Sequence, residues 1–167
     1  RMISPILIDF DFRYKNNKER QYTSNHLYKL INIYTDILND YIHLENYKIY
    51  ILEKKNPFFD KEKNITKDGI HIIIPNVITK INLQLFIRKK CLEKMKDIFE
   101  NEINSENSTD DIFDKAVIDK NNWMMYGSSK PDKEGYKVSE VYQWDNNKLE
   151  KIQEKECLKN YVNLFSI

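Results

Sequence analysis

Glycine and proline are scarce in this chain, with 3 Gly and 4 Pro among 167 residues. That excludes a collagen-like or low-complexity chain and argues against disorder. Only two cysteines occur, Cys91 and Cys157. They are far apart and without a CxxC or Cys/His cluster, so no zinc ribbon is built here, and both are expected as reduced thiols. No apolar run approaches the roughly 20 residues that span a bilayer, and no signal peptide is visible, so no membrane role is expected. Excess charge of one sign is missing too: 27 Lys and Arg against 26 Asp and Glu leave a net charge of +1. No global field therefore draws the molecule onto nucleic acid; a local patch would not need one. The Walker A spacing GxxxxGK[ST] is also absent.

What is present is an ordinary globular composition, 41% hydrophobic and 32% charged. Its length suits one domain with a real core. The chain begins at Arg1 and enters a strand almost at once, so a fragment of something larger is expected. The patterning predicts a strand over Ile6 to Arg13 and a basic, Asn-rich loop over Lys15 to Arg20. An amphipathic helix follows over Ser24 to Ile42, with Leu27, Leu30, Ile31, Tyr34, Ile37, Leu38 and Tyr41 at spacings of three and four. A strand over Tyr47 to Leu52 leads into a polar loop opened by Asn56-Pro57. Next comes a short strand over Gly69 to Pro75, closed by its proline. A second helix, Asn82 to Ile103, is expected to bury Leu85, Leu92, Met95 and Phe99. Strands near Lys115 to Ile118, Trp123 to Tyr126 and Tyr136 to Trp144 follow, and then a helix over Glu154 to Phe165. The fold class is α/β (α+β), with a mixed or antiparallel sheet flanked by helices.

Three stretches carry chemistry. In ILIDFDFRY, Ile6 to Tyr14, residues two apart share a strand face. Ile8, Phe10 and Phe12 point one way, and Leu7, Asp9, Asp11 and Arg13 the other. Two carboxylates about 6 Å apart repel by about 3 kcal/mol at an effective dielectric near 20. A divalent cation compensates best, and hard Mg²⁺ or Mn²⁺ prefers carboxylate oxygens and phosphates. The same pair also fits a solvated sheet end with Arg13 as salt-bridge partner. In KDGIHIIIP, Lys67 to Pro75, Gly69, His71 and Ile73 share a face. His71 reads either as a core histidine or as a donor to phosphate, with Gly69 allowing close backbone approach. In FDKAVIDKNNWMMYGSSKP, Phe113 to Pro131, Asp114 and Asp119 are both candidate carboxylates. GSSK offers a small turn, two hydroxyls and an ammonium that can grip a triphosphate, or simply a hairpin turn with a surface lysine.

Taken in order, the DFD strand, the GIH strand and the FD…NNWMMYGSSKP stretch resemble the archaeo-eukaryotic primase superfamily. The resemblance is nearest to the primase domains of primase–helicases of large nucleocytoplasmic DNA viruses, and it spans Ile6 to Pro131. It implies a primase-type catalytic core with an RRM-like sheet, residues 1–167 forming one catalytic domain of a longer primase–helicase. Asp9, Asp11 and Asp114 match the metal-binding carboxylates, with Mg²⁺ or Mn²⁺ as cofactor. His71 matches the histidine that contacts the nucleotide's phosphates, and Lys130, Ser128 and Ser129 the triphosphate grip. Arg13 and Asn122 are further nucleotide contacts. Gly69 stands where many relatives have Ser, and Asp119 is a rival to Asp114. The implied activity is primer synthesis on single-stranded DNA from nucleoside triphosphates by two-metal catalysis. A fused or associated helicase is the implied partner, and the site of action is intracellular (for a virus, the host cytoplasm). Two other readings stay open: a DxD glycosyltransferase using sugar nucleotides, and a non-catalytic template-binding domain. Lys15, Lys18 and Arg20 can serve template phosphates or form a solvated loop.

Overall fold

The computed structural model describes residues 2–120 and 135–153. Six strands and their helices run in the order β1 (Ile3–Tyr14), α1 (Ser24–Asn39), β2 (Asn46–Glu53), β3 (Phe58–Asp60), β4 (Ile65–Lys80), α2 (Ile81–Asp97), α3 (Thr109–Ile112), α4 (Ala116–Lys120), β5 (Lys137–Asp145) and β6 (Lys148–Ile152). The sheet order is β1-β4-β2-β5-β6, with β3 also on β4, and every pairing is antiparallel. This is the expected α+β architecture, in its antiparallel form. No helix among the described residues is long and apolar enough to cross a membrane.

The period-2 pattern of β1 decides the layering. Ile8, Phe10, Phe12 and Tyr14 are buried on one face, against Leu30, Ile31 and Tyr34 of α1 and against Phe99 and Phe113. Each such side chain contributes about 1.5–3 kcal/mol by leaving water. Helix α1 starts where its sequence says it should. Thr23 Oγ1 accepts the His26 N–H while His26 Nδ1 accepts the Thr23 N–H, a reciprocal cap.

Four expectations need correction. The Lys115 to Ile118 stretch is helical, not a strand. Asp114 Oδ1 accepts the Ala116 N–H at 2.9 Å, and Ile118 and Asp119 donate back to Lys115, so a capped turn overrides the β-branched run. Pro75 does not close β4, which continues to Lys80. The register jumps from Ile6↔Ile74 to Pro5↔Ile78, so Pro75 lies in a bulge where its missing N–H costs no ladder bond. The polar loop after Asn56 contains strand β3. Helix α2 buries Gln84, Ile87, Arg88, Cys91 and Met95, leaving Leu85 and Leu92 only half-buried, and the chain from Ile98 to Ile103 is a π-helix. The Trp123 to Tyr126 strand and the Glu154 to Phe165 helix lie outside the described residues, as do Asn122, Ser128, Ser129 and Lys130.

Candidate metal and nucleotide site

The antiparallel register of β1 and β4 sets Asp9 opposite His71 and Asp11 opposite Gly69, on the face away from α1. A third carboxylate arrives from the loop after α3. Phe113 bridges to Phe10, and the Asp114 N–H donates to the Asp9 carbonyl at 3.0 Å, so Asp114 lies against the edge of β1 beside the pair. Arg88 of α2 holds this loop in place. Its Nε donates to the Phe113 carbonyl at 2.7 Å, and its Nη2 to the Asp110 carbonyl and carboxylate at 2.7 and 3.0 Å. The rest of the β1 edge is closed by Ser105, Glu106 and Asn107, which bond the main chain of Asp11 and Arg13.

One carboxylate oxygen from each of Asp9, Asp11 and Asp114 lies within 4.8 Å of the others. The rival Asp119 is on α4 and not in this group. Burial first, then the neighbouring Asp11 and Asp114, push the Asp9 carboxyl up to about 9, and burial and Asp114 raise Asp11. Asp9 Oδ1 is buried with no hydrogen-bond partner. An orphaned acceptor among three all-oxygen donors fits a hard divalent cation such as Mg²⁺ or Mn²⁺ and does not fit a soft one.

His71 Nε2 is 3.7 Å from Asp9 Oδ1, too far for a hydrogen bond. Burial, with help from Lys54, lowers its pKa to about 3, so the imidazole is neutral and the contact is not an ion pair. The ring of Tyr136 stacks on it, with centroids 3.7 Å apart and planes 7° apart. Burial, then Asp9 and Asp11, hold the Tyr136 phenol proton on well above the ordinary range.

Beside the carboxylates opens a cleft of about 410 Å³, lined by Asp11, Arg13, Lys54, Asn56, Pro57, Phe58, Lys67, Asp68, Gly69 and Tyr136. Its walls are braced from below. Buried Asp68 accepts from Arg20 Nε and Nη2 at 3.1 and 2.9 Å, from the Tyr14 hydroxyl at 2.8 Å, and from the Gly69 N–H at 3.0 Å. Arg20 also binds the Lys54 carbonyl and faces Glu53, which accepts from the Tyr22 hydroxyl. Arg20 is thus a structural clamp between Asp68, Glu53 and the Lys54 carbonyl. Lys15 and Lys18 are exposed, Lys18 resting over Phe59. Arg13 lines the cleft and donates to the Phe12 carbonyl at 2.9 Å. Sequence reasoning missed Lys54, Lys67 and Tyr136. Lys67 shares a strand face with Gly69 and His71, a signal that was readable, whereas the other two reach the site only through sheet pairing.

Residues 1–142 match the model of the family described as "C962R protein N-terminal AEP domain". The chain belongs to this archaeo-eukaryotic primase family. A relative from Acanthamoeba polyphaga mimivirus, described as "Putative helicase L207/L206", is 29% identical over 175 aligned residues. The match takes in 97% of this chain and 18% of that protein, so the AEP domain here is similar to a small part of a much longer viral chain. The acidic triad of this AEP domain and the cleft beside it all lie within the matched span.

Proposed function

We propose that this AEP domain is the catalytic part of a DNA primase, joining nucleoside triphosphates into a primer on a single-stranded DNA template. The observation that carries the reading is the convergence of Asp9, Asp11 and Asp114 around an orphaned carboxylate oxygen, next to a cleft lined by Arg13, Lys54 and Lys67. Family membership supports nucleotidyl transfer over the sugar-nucleotide reading of the DxD pair.

In this reading Asp9, Asp11 and Asp114 hold two divalent cations, Mg²⁺ or Mn²⁺. When bound, these supply charge neutralisation at the attacking and leaving oxygens of the phosphoryl transfer. The protein's own task is positioning. Neutral His71 donates a hydrogen bond to a phosphate oxygen without adding charge. Arg13, Lys54 and Lys67 hold the anionic tail in the cleft. Lys130, Ser128 and Ser129 extend that grip and Asn122 adds a nucleotide contact, as the family resemblance implies. The template crosses the sheet, held by phosphate contacts and base stacking.

Residues 1–167 act as one catalytic domain of a longer primase–helicase, with the helicase fused or associated. The work is done inside the cell, in the host cytoplasm for a viral protein. The test is dinucleotide synthesis by the full chain on single-stranded DNA with Mn²⁺. Wild type is expected to make product, and Asp11→Asn and Asp114→Asn are each expected to abolish it while still unfolding in one cooperative transition. Product from either variant contradicts the assignment. Failure of Mn²⁺ plus nucleotide to stabilise wild type favours a template-binding domain without catalysis.

A further inference from the structure

Tyr136 takes no part in the chemistry proposed for the acidic triad, yet its placement is specific. Its ring covers one face of His71, and Lys54 Nζ lies 5.3 Å from the ring centroid. Its hydroxyl reaches across the sheet to Gly69. A Cβ built on Gly69 would lie 2.9 Å from Tyr136 Oη, 3.2 Å from the Phe10 carbonyl oxygen and 3.6 Å from Asp11 Oδ1. The phenol oxygen therefore fills the space a side chain at position 69 would need, and Asp11 borders the same space. A phenylalanine would pack on His71 equally well. What the tyrosine adds is one O–H donor at the floor of the cleft, next to a candidate metal ligand. The cations lining that cleft, Arg13, Lys54 and Lys67, mark it as the place for the anionic part of a ligand rather than for its sugar or base.

We propose that Tyr136 is a triphosphate-contacting residue, its hydroxyl donating over Gly69 to a phosphate oxygen of the bound nucleotide while its ring fixes the plane of His71. This rests on the cleft being a nucleoside triphosphate site. It also explains why position 69 has no side chain: a β-carbon would compete with the phenol for the same volume.

The experiment uses the full chain with Mn²⁺ and two probes, a nucleoside triphosphate and inorganic tripolyphosphate, which has phosphates but no sugar or base. Binding is read by thermal shift titration. Tyr136→Phe is expected to keep the Mn²⁺ response and to bind both probes about tenfold more weakly, as loss of one charge-assisted hydrogen bond implies. Gly69→Ala, which displaces the hydroxyl, is expected to weaken tripolyphosphate in the wild-type background. The double variant Gly69→Ala/Tyr136→Phe is expected to bind no more weakly than Tyr136→Phe alone. Unchanged tripolyphosphate binding by Tyr136→Phe overturns the proposal. So does a loss confined to the nucleoside triphosphate, which puts the hydroxyl on sugar or base, and so do additive losses in the double variant. If wild type binds neither probe, the triphosphate reading falls together with the proposal, a result distinct from a failure of Tyr136 alone.

Discussion

Replacing Asp9 by asparagine should have opposite effects with and without metal. Three carboxylates meet with ligand atoms no more than 4.8 Å apart. At that distance and an effective dielectric near 20, two charges repel by about 3 kcal/mol. The protein avoids part of this by keeping Asp9 protonated, as its pKa of about 9 records, but the folded state then holds a proton that the unfolded chain would release. Asparagine imitates protonated Asp9 in shape and removes that cost. Allowing for solvent relaxation, Asp9→Asn should stabilise the metal-free protein at pH 8 by about 2 kcal/mol. For a domain of this size that raises Tm by about 4–8 °C. With Mn²⁺ the order should reverse. Wild type gains about 2.7 kcal/mol at a metal concentration 100 times Kd, whereas the variant has lost a ligand and gains little. The assay is calorimetry of both proteins in chelator and in a Mn²⁺ series. An Asp9→Asn protein that melts lower than wild type in chelator and keeps the full Mn²⁺ shift would show that Asp9 neither carries this repulsion nor holds the metal.

The same cluster gives a pH signature. Because the folded-state pKa of Asp9 is raised, metal-free stability should fall as pH rises from 7 to 9, and saturating Mn²⁺ should flatten the slope; a metal-free Tm that climbs over this range speaks against it. Below pH 6.5 the sign reverses for His71: its pKa is lowered to about 3 by burial, so the unfolded chain takes up the proton and acidification costs stability. Arg88→Ala should weaken Mn²⁺ binding about tenfold, because it frees the Phe113 carbonyl that aligns Asp114; calorimetric titration showing wild-type affinity would remove Arg88 from the site's support. Arg20→Ala leaves Asp68 buried without its main charge partner and should cost about 3 kcal/mol, read by urea denaturation. Adding Asp68→Asn should restore part of that loss, and a double variant no more stable than Arg20→Ala would contradict the pairing.

The parts of this molecule that could be read from sequence are those governed by period. The alternation in β1 separates the buried aromatic face from the Asp9, Asp11 and Arg13 face, and the three-and-four spacing of α1 marks a helix whose leucines and Tyr34 are buried. Periodicity misleads where polar groups do interior work. Gln84 and Arg88 face inward because the Leu7 N–H and the Phe113 carbonyl need partners, which turns α2 away from its leucine stripe. The Ala116–Ile118 run looks like a strand until Asp114 is seen to cap a turn. Strand β6 is short, but its Asn146-Asn147 turn, both residues at positive φ, was a readable hairpin signal. The meeting of Asp114 with Asp9 and Asp11 depends on a loop pairing with a strand about a hundred residues earlier, which no local pattern contains. Family order suggested it, and the Phe10–Phe113 bridge provides it. Tyr136 was out of reach for the same reason, because its contact with Gly69 arises only from the sheet.

The most direct measurement is anomalous diffraction at the manganese edge from crystals grown with Mn²⁺ and a nucleoside triphosphate. Manganese is expected within about 2.0–2.5 Å of carboxylate oxygens from Asp9, Asp11 and Asp114 together, with the triphosphate extending into the cleft past Gly69. Manganese held elsewhere, or held without Asp114, would contradict it.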